Sequence, residues 1–487
     1  MSPKILPNAL LATFLLCSIC LAPNAFGQLS VAEKEDVGFT SLGARLGDST
    51  PTGSGISVSQ VEARTNPPAE GEAAAPAIYR PDASQFSGKQ FFYESGGATD
   101  ASSHATTVGR YFYGSSSLSP DIGMSPERIG VYDANGFLNS DVLHTFDTSV
   151  LPEVETNDIQ NHSWVGEFGA SEANIDAMRR MDYSIQRDDF VATYGLNNGS
   201  GTSVPSLMAG AYNGITVGRS DGQHSRGGIT LDGGIRTRPD IVVPTSLTSW
   251  AAPTVGSAAS LLVETARSTS ALANADSSIV VKSLLMTGAT RDEAEFGGNW
   301  THTDTSPLDA IYGAGELNID RSHGILESGE YPAEAAQVAG STGWDLGQSS
   351  ATVPQLYFFD LDPESVDFQI AATLVWNRDI VVSDEQPGLG TDYSFTPSLA
   401  NLNLKLYSAE GFMIGSQLAE SSSSVDNVEL IAASGLGSGR YVWEVSSDTD
   451  LTEYGFSWLV EGATPVPEPS VLSLFCLIGL SLLRRRR

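Results

Sequence analysis

The stretch "RPDIVVPTSLTSWAAPTVGSAASLLVE" runs from Arg238 to Glu264. Within it, Ser249 stands just ahead of a run of small apolar residues, interrupted early by Pro253, that reads as a buried helix. A hydroxyl at the mouth of a helix has two readings. It can be an ordinary N-terminal residue accepting a bond from an orphan N–H group. It can also be a nucleophile, held where helix N–H groups and the dipole favour a developing negative charge. The rest of the chain separates them.

Around this block, residues 28–330 alternate short Val/Ile-rich runs with helix-period stretches. Strands are predicted at "GISVSQVEA", "RIGVYDA" and "DFVATYGLNN", and helices at "SHATTVGRYFYG" and "NIDAMRRMDYSIQ". That alternation predicts an α/β domain built on a parallel sheet with helices on both faces. After a Gly-, Ala- and Ser-rich boundary at 329–347, residues 340–462 read differently. "QLYFFDL", "FQIAATLVW", "NLNLKLYSA", "NVELIAAS", "GRYVWEVSS" and "YGFSWLVEG" are short strands between turn residues, without a helical segment, as in an all-β sandwich.

The 487 residues carry 58 Asp and Glu against 26 Lys and Arg, a formal charge of −32. No basic stripe is present, which argues against a nucleic-acid partner. The acidic residues are scattered, which fits a solvated surface and leaves room for structural calcium. No calcium loop of the D-x-[DN]-x-[DN]-G kind locates such a site.

Residues 1–27 begin with Lys4, continue through an apolar stretch and end in small residues, the pattern of a secretory signal peptide. At the other end, Val471–Leu483 is apolar and Arg484–Arg487 follow it. As a helix this run would be roughly 20 Å long, short of the ~30 Å hydrocarbon core. With Val466-Pro467-Glu468-Pro469 ahead of it, the segment 465–487 resembles a PEP-CTERM sorting signal. That resemblance implies export to the cell envelope, surface or extracellular matrix, a transient membrane anchor, and an exosortase-type processing enzyme as partner. Cys17, Cys20 and Cys476 all fall in these two segments, so the exported body is expected to have no disulfide and no thiol chemistry.

Several pieces of the first domain together resemble the subtilisin-like serine peptidases. "TSWAAPTVGSAASLL" is similar to the family's nucleophile block, with Ser249 in the serine position. "VVKSLLMTGAT" and "YGAGELNID" are similar to the segments that close the catalytic domain. Two readings compete for the histidine. "RIGVYDANG" with "QNHSWVG" offers Asp133 and His162. "SSHATTVGRYFYG" resembles the histidine helix and offers His104, and the spacing from there to Asn197 and on to Ser249 favours it.

The resemblance implies further roles. Asn197 in "GLNNGSG" takes the oxyanion position; read without the family, it is a plain turn residue. Ser163, Trp164 and Val165 would flank a bound peptide and pair with it as an added strand, although Trp164 could equally serve only the core. Glu62 stands where the family has Asp, and would orient His104. Leu247 and Thr107 also depart from the family pattern. The segment ahead of "GISVSQVEA" is too short for the usual folding pro-domain, so the fold is expected to assemble unaided or with help from another part of the chain.

The expected activity is an exported serine endopeptidase acting on polypeptide substrates, with no cofactor needed for the chemistry. The alternative is a catalytically lapsed subtilase fold serving as a surface binding or scaffold protein. The later "ATLVWNRD", "NLNLKLYSAEG" and "GRYVWEVSS" resemble the jelly-roll sandwich appended to some subtilases.

Overall fold

The computed structural model describes residues 37–69, 72–114, 128–291, 299–361, 366–385 and 392–463. The signal-peptide and sorting-signal expectations, and all three cysteines, lie outside the described residues. Among those described, no helix is long and apolar enough to cross a membrane.

The first part of the chain contributes β1 (Val58–Glu62), β2 (Phe91–Tyr93), β3 (Ile129–Asp133), β4 (Ile159–His162), β5 (Val191–Gly195) and β6 (Ile215–Arg219). A small hairpin follows, β7 (Gly227–Ile229) with β8 (Arg236–Arg238), and then β9 (Ile241–Val243). Seven of these strands form one sheet in the order β2-β3-β1-β4-β5-β6-β9. Every pairing in it is parallel. This is the α/β class read from the alternation of strand and helix patterns.

The helices are α1 (Phe39–Leu46), α2 (Ser103–Tyr113), α3 (Ser171–Asp188), α4 (Thr248–Ser268), α5 (Ser278–Gly288) and α6 (Ile319–Glu327). Ala251, Ala252, Ala258 and Ala259 let α4 settle closely on the sheet, and all four are buried. Gly256 faces the Phe112 ring of α2 so closely that an added Cβ would lie 2.9 Å from it. The Ser257 hydroxyl reaches the Tyr111 carbonyl on the same helix at 2.9 Å.

The chain leaves β1 toward β2 and β3 on one side, and β4, β5 and β6 lie on the other. In open parallel sheets the crevice beyond the carboxyl ends of strands at such a reversal is where ligands bind. Glu62 ends β1, Ser163 follows β4, and the asparagine pair follows β5, so the sheet carries three candidate segments to one edge.

The C-terminal part begins with β10 (Gly343–Gln348), β11 (Gln355–Leu361) and β12 (Val366–Trp376). A hairpin of β13 (Asp379–Asp384) and β14 (Tyr393–Ser398) comes next. Then follow β15 (Leu402–Glu410), β16 (Met413–Ser421), β17 (Val428–Leu436), β18 (Gly439–Ser447) and β19 (Glu453–Ala463). Two antiparallel sheets result, β10-β19-β12-β17 and β11-β18-β15-β16. With the hairpin set aside, that order is the eight-stranded double Greek key of a jelly roll. Its core contains Trp376, Trp443 and Trp458. Two of these indoles find acceptors, Trp376 at Ala400 O and Trp458 at Gly340 O, each at 3.0 Å.

The two parts meet along a shared seam. An added Cβ at Gly455 of β19 would lie 2.5 Å from Ile279 O of α5, so sheet and helix backbones touch directly. The β13–β14 hairpin, which had no counterpart in the sequence reading, lies on α3, where Phe395 packs edge-on to Tyr183 at 5.6 Å. At the centre of the seam Arg378 donates to Asp182 Oδ2 at 2.6 and 3.1 Å and to Asp232 Oδ2 at 2.9 Å. Asp182 Oδ1 accepts the Tyr212 and Asn213 N–H groups at 2.8 and 2.9 Å. A buried pair in which both carboxylate oxygens of Asp182 accept two hydrogen bonds each is costly to break from one side, by about 3–5 kcal/mol. Asp182→Ala is therefore expected to lower the urea midpoint by an amount corresponding to about 3 kcal/mol or more. Unfolding followed separately in the two parts should shift together. A shift confined to one part would show that the seam does not couple them.

Candidate active site

Helix α2 starts at a Ser102 cap, whose hydroxyl accepts the Ala105 N–H at 3.2 Å. His104 therefore sits in the first turn, over the end of β1. Its Nδ1 meets Glu62 Oε2 at 2.8 Å. The Glu62 side chain is 0% exposed and that of His104 is 25% exposed, so the carboxylate is sealed below while the ring reaches the surface. Burial opposes charging of the ring, but the Glu62 charge and the hydrogen bond to it outweigh burial and hold the His104 pKa above the usual histidine value.

Ser249 occupies the first turn of α4, which begins after Leu247 without a side-chain cap. Its N–H belongs to the four that have no intrahelical acceptor. Pro253, four residues on, has no N–H to give the Ser249 carbonyl. The Ser163 hydroxyl supplies the missing donor at 2.9 Å. In return the Ser249 hydroxyl rests on the Ser163 carbonyl at 3.3 Å. No hydrogen bond joins Ser249 to His104 among the described residues. The next residue, Trp250, lies against the His104 ring at 5.3 Å between centroids and stacks on Tyr111 at 5.6 Å. Trp250 thus bridges the first turn of α4 to helix α2, a contact no local sequence pattern predicts.

The two asparagines beyond β5 part company. The Asn197 side chain donates to the Ser203 carbonyl at 2.9 Å, and its backbone N–H goes to Ser225 Oγ at 3.2 Å. Asn198 Oδ1 accepts the Thr248 N–H at 3.0 Å. That bond ties the Asn198 amide to the residue before Ser249 and leaves its Nδ2 without a partner among the described residues. Of the two, the Asn197 side chain expected at the oxyanion position is bonded to Ser203 O, and the Asn198 side chain is the one tied to the first turn of α4. "NNG" offered both asparagines, and only the fold of the turn distinguishes them.

The remaining candidates have other surroundings. His162 is fully buried at the end of β4 among Phe137, Trp164 and Tyr194, with Nε2 on Gln160 Oε1 at 2.7 Å. Burial pushes its pKa down to about 3, so it is a neutral core residue. Asp133 pairs with Arg64 at 3.2 Å and caps the Gly136 N–H, and neither bond leads to a histidine. Trp164 is buried in the same cluster as Phe137 and Leu138. Of the expected peptide-binding segment, the Ser163 carbonyl lies beside the Ser249 hydroxyl, and Val165 is half-buried. Among the described residues no group of three or more His, Cys, Asp or Glu could hold a metal ion.

No protein-family model matches the chain. No curated protein matches it. Among solved structures it is similar to the epidermin leader peptide processing serine protease EpiP from Staphylococcus aureus. That match has 12% identity and a TM-score of 0.37, and covers 63% of this chain and 83% of the other. It is similar to MycP1 from Mycobacterium smegmatis at 11% identity and a TM-score of 0.32, covering 62% and 86%. Sphericase matches at 14% identity and a TM-score of 0.32, covering 61% and 99%. Likeness at these scores assigns no chemistry to the chain, so any functional reading must rest on the geometry of the site.

That geometry predicts a titration. The His104 ring protons, followed by NMR, should report a pKa above the ordinary 6.5 in the wild type. In Glu62→Gln the opposing effect of burial is left alone, and the value should fall below 6.5. An unchanged value in the variant would mean that Glu62 does not govern the ring.

Proposed function

We propose that this chain is an exported serine endopeptidase of the subtilisin-like kind, in which Ser249 is the nucleophile, His104 the general base and Glu62 the orienting acid. The observation that supports it most is the bond from His104 Nδ1 to a fully buried Glu62, beside a serine on the uncapped first turn of α4.

The chemistry follows from these positions. Glu62 accepts a hydrogen bond from Nδ1–H and so holds the proton on that nitrogen, which leaves the other ring nitrogen unprotonated to take the Ser249 hydroxyl proton. Rotation about the Ser249 Cα–Cβ bond releases the hydroxyl from the Ser163 carbonyl toward that nitrogen. Catalytic bonds of this sort are often loose before substrate binds. When the peptide carbonyl is attacked, its oxygen becomes negative. The Ser249 N–H and the Asn198 Nδ2 are the donors we assign to it, in place of Asn197. The imidazolium formed at the same moment is stabilised by the Glu62 carboxylate below it. Collapse of the tetrahedral adduct returns the proton to the leaving amine, and water then releases the acyl group by the same steps. Export is read from residues 1–27 and 465–487.

A second reading has one observation in its favour. The Ser249 hydroxyl is bonded to Ser163 O rather than to His104, as in a lapsed peptidase retained as a surface binding protein.

A fluorophosphonate probe and a peptide substrate distinguish the two. The wild type should be labelled and should turn over, and Ser249→Ala should do neither while keeping its fold. His104→Ala should abolish activity. His162→Ala should instead act through stability, because that ring is buried in the core. Asn198→Leu should lower kcat by about 10²- to 10³-fold, and Asn197→Leu far less. The reverse ranking of the asparagines would return the oxyanion role to Asn197. A wild type that neither labels nor turns over would establish the scaffold reading.

A further inference from the structure

Gln60 precedes Glu62 by two residues on β1, so both side chains leave the same face of the strand. Both are 0% exposed. The Gln60 Nε2 donates to Glu62 Oε1 at 2.8 Å and to the Ala105 carbonyl at 2.8 Å. The Tyr113 hydroxyl donates to Gln60 Oε1. Burial first, and the nearby Glu62 charge second, push the Tyr113 pKa well above the usual phenol value, so this hydroxyl keeps its proton. Tyr113 is itself held edge-on by Phe86 and Phe91, at 5.2 and 5.8 Å.

Every hydrogen-bonding group of the Gln60 amide is therefore engaged. A flipped amide would set its oxygen against the Glu62 carboxylate. Ala105 lies in the first turn of α2 and Tyr113 is its last residue. One side chain thus ties both ends of the histidine helix to the strand that carries the acid.

We infer that Gln60, oriented by Tyr113, is a positioning residue for the Glu62–His104 pair: it pins one carboxylate oxygen so that the other is presented to His104 Nδ1. The inference rests on the peptidase reading of the site. A glutamate has one more rotatable bond than an aspartate, and Gln60 removes the freedom that the extra bond adds. The Gln60 amide carries no charge and cannot take the proton itself.

The test uses the full chain with Gln60→Met, which keeps the shape and apolar packing of the side chain and removes its donors. Tyr113→Phe serves as a milder second variant. Steady-state peptide hydrolysis across pH should show kcat reduced about 10- to 100-fold in Gln60→Met, with KM unchanged. Tyr113→Phe should show a smaller loss in the same direction. Independently of turnover, the low-field proton NMR signal of His104 Nδ1–H should be present in the wild type and broadened or lost in Gln60→Met. Wild-type kcat and pH profile in Gln60→Met would reduce Gln60 to core filling and overturn the inference. If the wild type proves inactive, the peptidase reading fails and the proton signal alone decides. Its loss in Gln60→Met supports the positioning role, and its persistence refutes it.

Discussion

A carboxylate with no exposure to water, placed at the end of an interior strand of a parallel sheet, has to be paired. An isolated charge there would cost far more than the fold's margin of stability. Glu62 meets this demand from two sides, with Gln60 on one oxygen and His104 on the other. Strand β1 accordingly carries Ser59, Gln60 and Glu62 in positions where a doubly covered strand would ordinarily hold apolar residues. The position and tilt of α2 follow, because the same helix must supply the histidine, the Ala105 carbonyl and the Tyr113 hydroxyl.

The second requirement comes from α4. Pro253 removes a donor one turn after Ser249 and so leaves a carbonyl that another group must satisfy. Ser163 satisfies it, and this joins the segment after β4 to the first turn of α4. Asn198 joins the segment after β5 to the same turn through Thr248, and Trp250 joins α2 to it through the His104 ring. Two segments that follow separate strands, and one helix, are thus fastened to a single helical turn.

The jelly roll is packed directly against the α/β part. A buried arginine shared between two aspartates, backbone-to-backbone contact at Gly455, and a hairpin seated on α3 join the two parts. α3 follows the Ser163–Val165 segment in the chain, so the sandwich packs on the helix next to that segment.

Periodicity carried the secondary structure, because the buried faces of strands and helices repeat at 2 and 3.6 residues wherever solvent is excluded from one side. The alternating α/β part and the all-β part after it were legible on that ground. So was the unusual setting of Ser249 ahead of Pro253. The β13–β14 hairpin was not legible, since its strands are half-exposed and it is held by partners on α3 nearly two hundred residues away. Spacing to Asn197 and Ser249 favours His104 over His162, but only the fold shows what lies beneath each ring. His104 and His162 differ in that one begins a helix above β1 and the other ends a strand inside an aromatic cluster, and strand order alone produces that difference. The choice between Asn197 and Asn198 turns on a single hydrogen bond to Thr248, and the role of Gln60 on a helix folding back over its own strand. Such contacts join residues distant in the chain, and no local pattern records them.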